Sequence, residues 1–244
     1  MSFSDDEIER YARHLVLAEL GGPGQQRLKA ARVALVGLGG VGSPAALYLA
    51  AAGVGALRLI DPDVVSLSNL QRQIAFSDAD IGQSKVEAGG RRLAAMNPHV
   101  TIEPAPERLT ADSAGRLLRD CDLVIDGTDD FDTRFAVNAA CIAAGIPLVS
   151  GALGRWSGQI GVFTGRPCYR CLVPETPPEA ETCARVGVVG ALAGVVGAIA
   201  ALEAIKLITG AGQPLTGRLL LYDGLAGTAR TVAVAADPAC PVCG

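Results

Sequence analysis

Short apolar runs alternate with longer amphipathic stretches between Arg32 and Gly151. The short runs predict buried strands, and apolar positions that recur every three or four residues predict helices. The predicted strands are 32–37, 56–61, 100–105, 121–127 and 146–152, and the predicted helices are 41–52, 83–96, 111–118 and 132–144. Strands that alternate with helices are typical of βαβ units, so this part predicts a Rossmann-like, mostly parallel α/β sheet.

The pattern changes after Gly151. It predicts a strand at 158–163, a loop rich in cysteine and proline at 167–183, a long helix at 190–208, and strands at 217–224 and 228–236. The last two strands are close enough along the chain to pair antiparallel. We therefore predict one domain over 1–244, with N-terminal helices in 1–30, the Rossmann-like half in 31–151, and an antiparallel extension in 152–244.

The uncharged run Val186–Leu202 is the longest apolar stretch of the chain. It is shorter than a comfortable membrane span, and Glu203 continues the same helical pattern. A buried helix is the favoured interpretation, and no membrane association is predicted. Gly190 and Gly194 have the spacing that lets another helix approach closely.

Composition narrows the class of protein. The chain has 244 residues, half of them hydrophobic, and a net charge of −4. Because it lacks an excess of positive charge, nucleic acid is not a predicted partner. The start, "MSFSDDEIERYARH", is charged and amphipathic, which predicts a cytoplasmic protein without a signal peptide.

A glycine-rich turn joins the first predicted strand to the next helix in "VALVGLGGVGS", residues 33–43. Gly37, Gly39 and Gly42 satisfy G-x-G-x-x-G in the strand–turn–helix context that this motif requires, with Gly40 inside the turn. Asp61 ends the second strand, where an acid can bind ribose hydroxyls. On these features alone, an NAD-dependent oxidoreductase is the default hypothesis.

Charged residues at later strand ends favour a different nucleotide. "SLSNLQRQ" places Asn69 and Arg72 shortly after the second strand, and "GQSKVE" places Lys85 at the next helix. "DGTDD" supplies an acid cluster after another strand, with Asp129 among its members. Cations neutralise phosphate oxygens and a carboxylate holds Mg²⁺, so this combination favours ATP.

Four of the seven cysteines form two CxxC pairs, Cys168/Cys171 and Cys240/Cys243. Two matched pairs predict a structural zinc site with four thiolate ligands; a redox CxxC is the competing interpretation. Cys183 precedes the long helix. It is either a small residue at a helix entry or a nucleophile stabilised at a helix N-terminus.

The motifs "GLGGVGS", "DPDVVSLSNLQRQ", "GQSKVE", "DGTDD", "CYRC", "TCARVGVVG", "ALEAIK" and "CPVCG" follow one another along nearly the whole chain. In this order they resemble the MoeB/ThiF family, the bacterial relatives of ubiquitin-activating enzymes. The resemblance implies an adenylyltransferase that uses Mg-ATP and releases pyrophosphate. Its substrate would be the C-terminal glycine of a small ubiquitin-like (β-grasp) sulfur-carrier protein ending in Gly-Gly, for molybdopterin or thiamine sulfur transfer.

The resemblance also implies roles for individual residues. The nucleotide-binding set would be Gly37, Gly39, Gly40, Gly42, Asp61, Asn69, Arg72, Gln73, Lys85 and Asp129, with Asp129 as the Mg²⁺ ligand. Arg13 in "RYARH" matches an arginine that reaches into the neighbouring subunit's site, which implies an obligate homodimer. The CxxC cysteines match zinc ligands, and Asp130 stands where many members carry Asn.

The resemblance implies less about sulfur transfer than about adenylation. Cys183 matches a cysteine that, in the thiamine branch, is proposed to form a sulfur link with the carrier. The resemblance implies a separate sulfurtransferase as sulfur donor. Two alternatives remain at this point: an NAD-dependent oxidoreductase with a structural zinc, and a non-catalytic dimeric scaffold held by zinc. Arg13, Arg72, Lys85 and Asp129 argue against the scaffold.

Overall fold

The computed structural model describes residues 2–177 and 187–244. Its strands form one eight-stranded sheet in the order β3-β2-β1-β4-β5-β6-β7-β8. Strands β1 to β5 are parallel, and β6, β7 and β8 each run antiparallel to the preceding strand. The strands are β1 Arg32–Val36, β2 Ala56–Ile60, β3 Thr101–Ala105, β4 Leu123–Asp126, β5 Leu148–Leu153, β6 Ser157–Phe163, β7 Arg218–Asp223 and β8 Thr228–Ala233. The predicted fold class, a mostly parallel sheet with an antiparallel extension, is confirmed.

The helices of the described chain are α1 Asp5–Arg10, α2 Ala12–Leu15, α3 Gly21–Ala30, α4 Gly42–Ala52, α5 Lys85–Met96, α6 Ala111–Leu117, α7 Phe131–Ala144, α8 Tyr169–Leu172 and α9 Gly190–Thr209. The helices predicted by periodicity begin and end within two residues of these bounds. The prediction of an uninterrupted loop over 167–183 is wrong at α8. This single turn begins between the first two CxxC cysteines, so side-chain periodicity gives no sign of it.

Helices cover both faces of the sheet, because alternate residues of a strand point to opposite faces. In β1, Val33 and Leu35 pack with α3, α4, α5 and α9, whereas Ala34 and Val36 pack with α6, α7 and α8. The near-continuous apolar character of the inner strands follows from this double burial.

Helix α9 is, among the described helices, the one long and apolar enough to cross a membrane by length and composition. Its inner face, including Val196 and Ala200, is packed in the core against α4 and β5. Gly190 approaches the Gln71 carbonyl closely, but Gln71 lies in a turn, so the predicted approach of another helix is not found at this glycine. The prediction for Gly194 is wrong, since the second close approach is at Gly197, where the backbone of Val41 passes.

The N-terminal helices are fixed to the end of α4. The Tyr11 hydroxyl accepts a hydrogen bond from Asn97 Nδ2 at 2.9 Å, and its ring fills the space beside Gly53, where no Cβ would fit. Gln25 bridges the same region, with its Nε2 donating to the Ala52 carbonyl at 2.8 Å. Arg13, on the short helix α2, is exposed.

Candidate active site

A cavity of about 490 Å³ opens at the carboxyl ends of β1, β2, β4 and β5. This is the edge where open parallel sheets bind ligands, because the strand order reverses between β1 and β4. The cavity is lined by nine of the residues predicted from the sequence: Gly37, Gly39, Gly40, Asp61, Asn69, Arg72, Gln73, Lys85 and Asp129.

The turn requires glycine for different structural reasons at its different positions. Gly37 has φ +84°, a conformation that L side chains rarely adopt, and the carbonyl carbon of Gly127 and the side chain of Thr128 lie against it. Gly39 and Gly40 line the cavity with bare backbone. Gly42 is not part of the lining. It begins α4 directly against the Gly37 carbonyl, so here the third glycine serves close packing.

Asp61 lies buried at the end of β2. One carboxylate oxygen accepts the Leu38 N–H at 2.7 Å, and the other accepts the Asp63 N–H at 2.9 Å. Burial raises the pKa of Asp61 above its ordinary value, although the nearby Lys85 acts in the opposite direction. These contacts fix an acceptor group at the floor of the cavity.

Lys85 supplies a buried cation at the first residue of α5. Its Nζ lies 2.8 Å from Asp63 Oδ2 and 3.9 Å from Asp61 Oδ2. The side chain of Lys85 is 6% exposed, whereas that of Asp63 is 59% exposed. The positive charge is therefore held at the cavity wall by one buried and one solvated carboxylate.

The segment after Asp61 brings three more polar side chains to the cavity, those of Asn69, Arg72 and Gln73. A single 3-10 turn, Leu67–Asn69, precedes Arg72, whose guanidinium donates to the Ser68 carbonyl at 3.0 Å. The stem of Arg72 runs beside Gly40. Gln73 is buried, and within the described chain its Oε1 has no hydrogen-bond partner. A buried acceptor without a partner at a cavity wall is suited to a ligand donor or a bound water.

Three aspartates in "DGTDD" have different surroundings. Asp126 is buried, and both its oxygens are occupied: Thr128 donates to Oδ1 from its backbone N–H at 3.0 Å and from its hydroxyl at 2.7 Å. Arg134 and Ser150 bind the other oxygen at 3.3 and 3.2 Å. Asp126 has no oxygen free for a cation.

Asp130 and Asp129 also differ in whether the protein supplies partners for their carboxylates. Asp130 caps α7 by accepting the Thr133 N–H at 2.8 Å, and its other oxygen is 3.1 Å from Arg108. Asp129 is exposed, and among the described residues its side chain makes no hydrogen bond or ion pair. Of the three carboxylates, only that of Asp129 faces the cavity without a protein partner.

Sequence reasoning missed Arg134, which is 5% exposed and belongs to the lining of the cavity. A signal for it exists: Arg134 shares the buried stripe of α7 with Val137 and Cys141 at helical spacing. A charged residue on an apolar stripe indicates a buried ion pair, here with Asp126.

The four CxxC cysteines converge away from the cavity. Their Sγ atoms all lie within 4.8 Å of one another, with 3.6 Å between those of Cys168 and Cys240 and 3.4 Å between those of Cys171 and Cys243. Tetrahedral zinc with four thiolates places its sulfurs ~3.8 Å apart, so the cluster fits this ion. The side chain of Asn138 donates to Cys168 Sγ at 3.6 Å, as partners of zinc thiolates commonly do.

Two further residues, Arg13 and Cys183, were predicted for the site in addition to those that line the cavity. Arg13 is exposed and does not belong to its lining. Cys183 lies outside the described residues.

A second groove, of about 830 Å³, runs over β6, β7 and β8. It shares Ala152, Leu153 and Gln159 with the cavity at the carboxyl ends of the parallel strands. The groove therefore adjoins the wall of the cavity directly.

Comparison with known proteins decides the family. The sequence pattern of the ThiF family matches residues 11–242. The chain belongs to the ThiF family. A sulfur carrier protein adenylyltransferase of Thermus thermophilus is 45% identical over 253 residues, which cover 100% of this chain and 93% of that protein. A molybdopterin-synthase adenylyltransferase of Escherichia coli is 47% identical over 244 residues, covering 99% of this chain and 98% of the relative.

A solved structure supports the fold of this ThiF-family chain. MccB of Escherichia coli, crystallised with ATP, has a TM-score of 0.81 at 20% identity and covers 100% of this chain and 82% of that one. The ThiF-family chain is a nucleotidyltransferase, so the oxidoreductase alternative is set aside.

Proposed function

We propose that this chain adenylates the C-terminal glycine of a small ubiquitin-like sulfur-carrier protein, and that the carrier serves molybdopterin or thiamine sulfur transfer. The products are the carrier acyl-adenylate and pyrophosphate. The observation that carries the proposal is the unpartnered Asp129 carboxylate, which lies in one cavity with the cations of Arg72 and Lys85.

The chemistry needs no general base, because the carboxylate of the carrier is already a nucleophile. The protein aligns this carboxylate with the α-phosphate and stabilises the negative charge that develops on the phosphate oxygens. Arg72 and Lys85 supply charge for the triphosphate, Asp61 accepts from the ribose, and Gly39 and Gly40 leave room for phosphate oxygens. Mg²⁺, held by Asp129, adds charge neutralisation at the phosphates.

The carrier tail would lie in the groove over β6, β7 and β8. An extended Gly-Gly tail has no side chains, so it fits a narrow entry past Ala152, Leu153 and Gln159. Trp156 and Leu225, 47% and 74% exposed, stand at neighbouring turns joined by a hydrogen bond from the Gly224 N–H to the Trp156 carbonyl. Exposed apolar side chains of this size suit the surface of a protein partner.

The remaining assignments follow from the same proposal. Arg13 would act in the site of a second copy of the chain, since its own cavity does not include it. Cys168, Cys171, Cys240 and Cys243 would hold a structural zinc, because four thiolates leave no open position for catalysis. A separate sulfurtransferase would supply sulfur, and Cys183 would be the residue to form a sulfur link with the carrier.

Carrier-dependent exchange of pyrophosphate into ATP tests the function. We expect Lys85→Ala and Asp129→Ala to lower the exchange rate at least about a hundredfold with the fold retained, because each removes charge stabilisation at the triphosphate. Asp132→Ala is the matched control: this exposed aspartate lies in the first turn of α7 and is not part of the cavity lining.

Exchange close to wild type in both cavity variants would reject the assignment. Absence of any exchange by the wild type with a β-grasp carrier ending in Gly-Gly would reject the substrate class. Mass spectrometry of the carrier detects the adenylate directly.

A further inference from the structure

We infer that the four-cysteine cluster sets the position of the Asp129 loop, residues 127–130, through two side chains, Tyr169 and Arg134. The inference rests on the proposed function in one respect, namely that Asp129 is the residue that holds Mg-ATP. It assigns the cluster a part in nucleotide binding beyond stabilising the C-terminal segment.

Arg134 is fully engaged with the protein. Nη1 donates to Asp126 Oδ2 at 3.3 Å and to Ser150 Oγ at 3.0 Å. Nη2 donates to the carbonyl of Thr128 and, at 2.9 Å, to that of Gly151. The four N–H bonds on these two nitrogens are all used within the protein, and the guanidinium also interacts with the Tyr169 hydroxyl. Arg134 is therefore a positioning residue.

The contact with Thr128 is the one that reaches the site. The loop between β4 and α7 is held on both sides of Asp129, at the Thr128 carbonyl by Arg134 and at Asp130 by the cap of α7. The side chain of Asp129 lies between these two anchors, makes no hydrogen bond or ion pair with the described residues, and interacts with Arg134 only through its charge. Its location depends on how firmly the backbone on each side is held.

Tyr169 connects Arg134 to the cysteines. It follows Cys168 directly, is 3% exposed, and its ring centre lies 5.9 Å from the Arg134 guanidinium carbon. The backbone N–H of Tyr169 donates to Asn138 Oδ1 at 2.8 Å, and Asn138 Nδ2 lies 3.6 Å from Cys168 Sγ. Asn138 and Arg134 are one turn apart on α7, so one helix face carries both contacts.

The direction of the effect follows from these contacts. The ring of Tyr169 faces the guanidinium of Arg134, and its hydroxyl also interacts with that group; through these contacts the cluster supports Arg134. A shift of the cysteine turn moves this ring, and Arg134 then loses its fixed orientation toward Thr128. Displacement of the Asp129 backbone weakens only the part of nucleotide affinity that depends on Mg²⁺.

Calorimetric titration with ATP, with Mg²⁺ present or removed by desalting into a buffer without chelator, tests the inference on the full chain. We expect Tyr169→Leu to weaken Mg-ATP binding about tenfold, as loss of an outer-shell partner does. ATP binding without Mg²⁺ should stay within about twofold of wild type, since the phosphate and ribose contacts remain. Tyr169→Phe keeps the ring but loses the hydroxyl contact with Arg134, so we expect a smaller loss of Mg-ATP affinity than in Tyr169→Leu. Tyr48→Leu, at an exposed tyrosine outside the cavity lining, is the control and should bind as wild type does.

Arg134→Lys is the second variant, for the case that Tyr169→Leu does not fold. It keeps one positive charge but not the planar set of donors, so we expect the same selective loss. Zinc content, measured on each variant, should equal that of wild type. Mild chelation of zinc should weaken Mg-ATP binding in wild type. It should have no added effect in Tyr169→Leu, because both changes interrupt the same series of contacts from the cysteines to Arg134.

Equal losses with and without Mg²⁺, unchanged Mg-ATP affinity, or additive effects of chelation and Tyr169→Leu would each overturn the inference. These measurements contain no carrier. If Mg-ATP binding behaves as expected but no carrier-dependent exchange occurs, the proposed substrate fails while the inference stands.

Discussion

At the scale of single residues, chemical type alone does not determine the role of an aspartate. Asp126 is buried with four donors around it, Asp130 caps a helix, and Asp129 has no hydrogen-bonding partner in the described chain. A carboxylate with satisfied oxygens has little to gain from a cation, whereas an unpartnered one binds Mg²⁺ without first breaking protein contacts. Whether the protein supplies donors to a carboxylate thus distinguishes a structural aspartate from one that can bind a ligand.

Asp130 offers a direct test of this distinction. Asn caps helices as well as Asp does, and the exposed pair with Arg108 contributes little to stability. We expect Asp130→Asn to change the free energy of unfolding by less than about 0.5 kcal/mol, with Mg-ATP affinity unchanged. Asp130→Ala should cost about 1 kcal/mol because the cap is lost. Urea unfolding measures both, and a large loss of Mg-ATP affinity in Asp130→Asn would contradict the role given to Asp130.

Most of the cavity residues were predictable from sequence because they follow strands, and parallel strands end at one edge. Residue type and position could not separate Asp126, at the end of β4, from Asp129 in the following loop, because the difference lies in their folded surroundings; only the family resemblance pointed to Asp129. The sequence also could not indicate the partners of Arg134, because Asp126, Ser150 and Gly151 come from two strands brought together by the sheet.

At the scale of elements, helices and strands followed from hydrophobic periodicity, and the exceptions have physical reasons. Helix α8 is one turn that begins between two cysteines, too short for any period to show. In α9, periodicity predicted a close-packed glycine stripe but not which stripe faces α4, and Gly197 rather than Gly194 lies there. Which face is buried depends on the neighbouring helix, and that is a tertiary property.

The cysteine cluster predicts how thiols respond to metal removal. Burial raises the pKa of Cys141 to about 12, and burial also raises the pKa of Cys121, so neither thiol reacts readily near neutral pH. We expect chelation to add four reactive thiols to those titrated by a disulfide reagent, because four cysteines form the cluster. Cys141→Ala, as control, should leave both counts unchanged. An unchanged count after chelation would show that the cluster holds no removable metal.

At the scale of the whole molecule, the parallel half of the sheet forms the cavity and the antiparallel half forms the groove. The join between them is at β5 and β6, where Ala152, Leu153 and Gln159 belong to both. The direction of the strands was predictable in outline from the alternation of elements, but their order in the sheet was not predicted. The homodimer was predicted only from the family resemblance at Arg13, because no pattern in a single chain states which exposed face meets a second copy.

Mixing of two inactive variants tests the predicted homodimer. If Arg13 acts in the partner's site, Arg13→Ala and Lys85→Ala each inactivate the enzyme, but a mixed dimer keeps one complete site. Random exchange at equal concentrations should restore about a quarter of wild-type exchange activity, because half of the dimers are mixed and each has one intact site of two. The same mixture, assayed before its subunits have exchanged, is the control and should be inactive. A mixture that stays inactive after exchange would show that Arg13 does not act in the partner's site.

The wall shared by the cavity and the groove also bears on the timing of the reaction. A carrier tail that rests on Ala152, Leu153 and Gln159 stands across one side of the nucleotide cavity. If the tail lies there as proposed, ATP would bind first and the tail second, and the adenylated glycine would leave along the groove before another ATP binds. Kinetics with both substrates varied should then show a compulsory order, in which excess carrier inhibits enzyme that has no ATP bound.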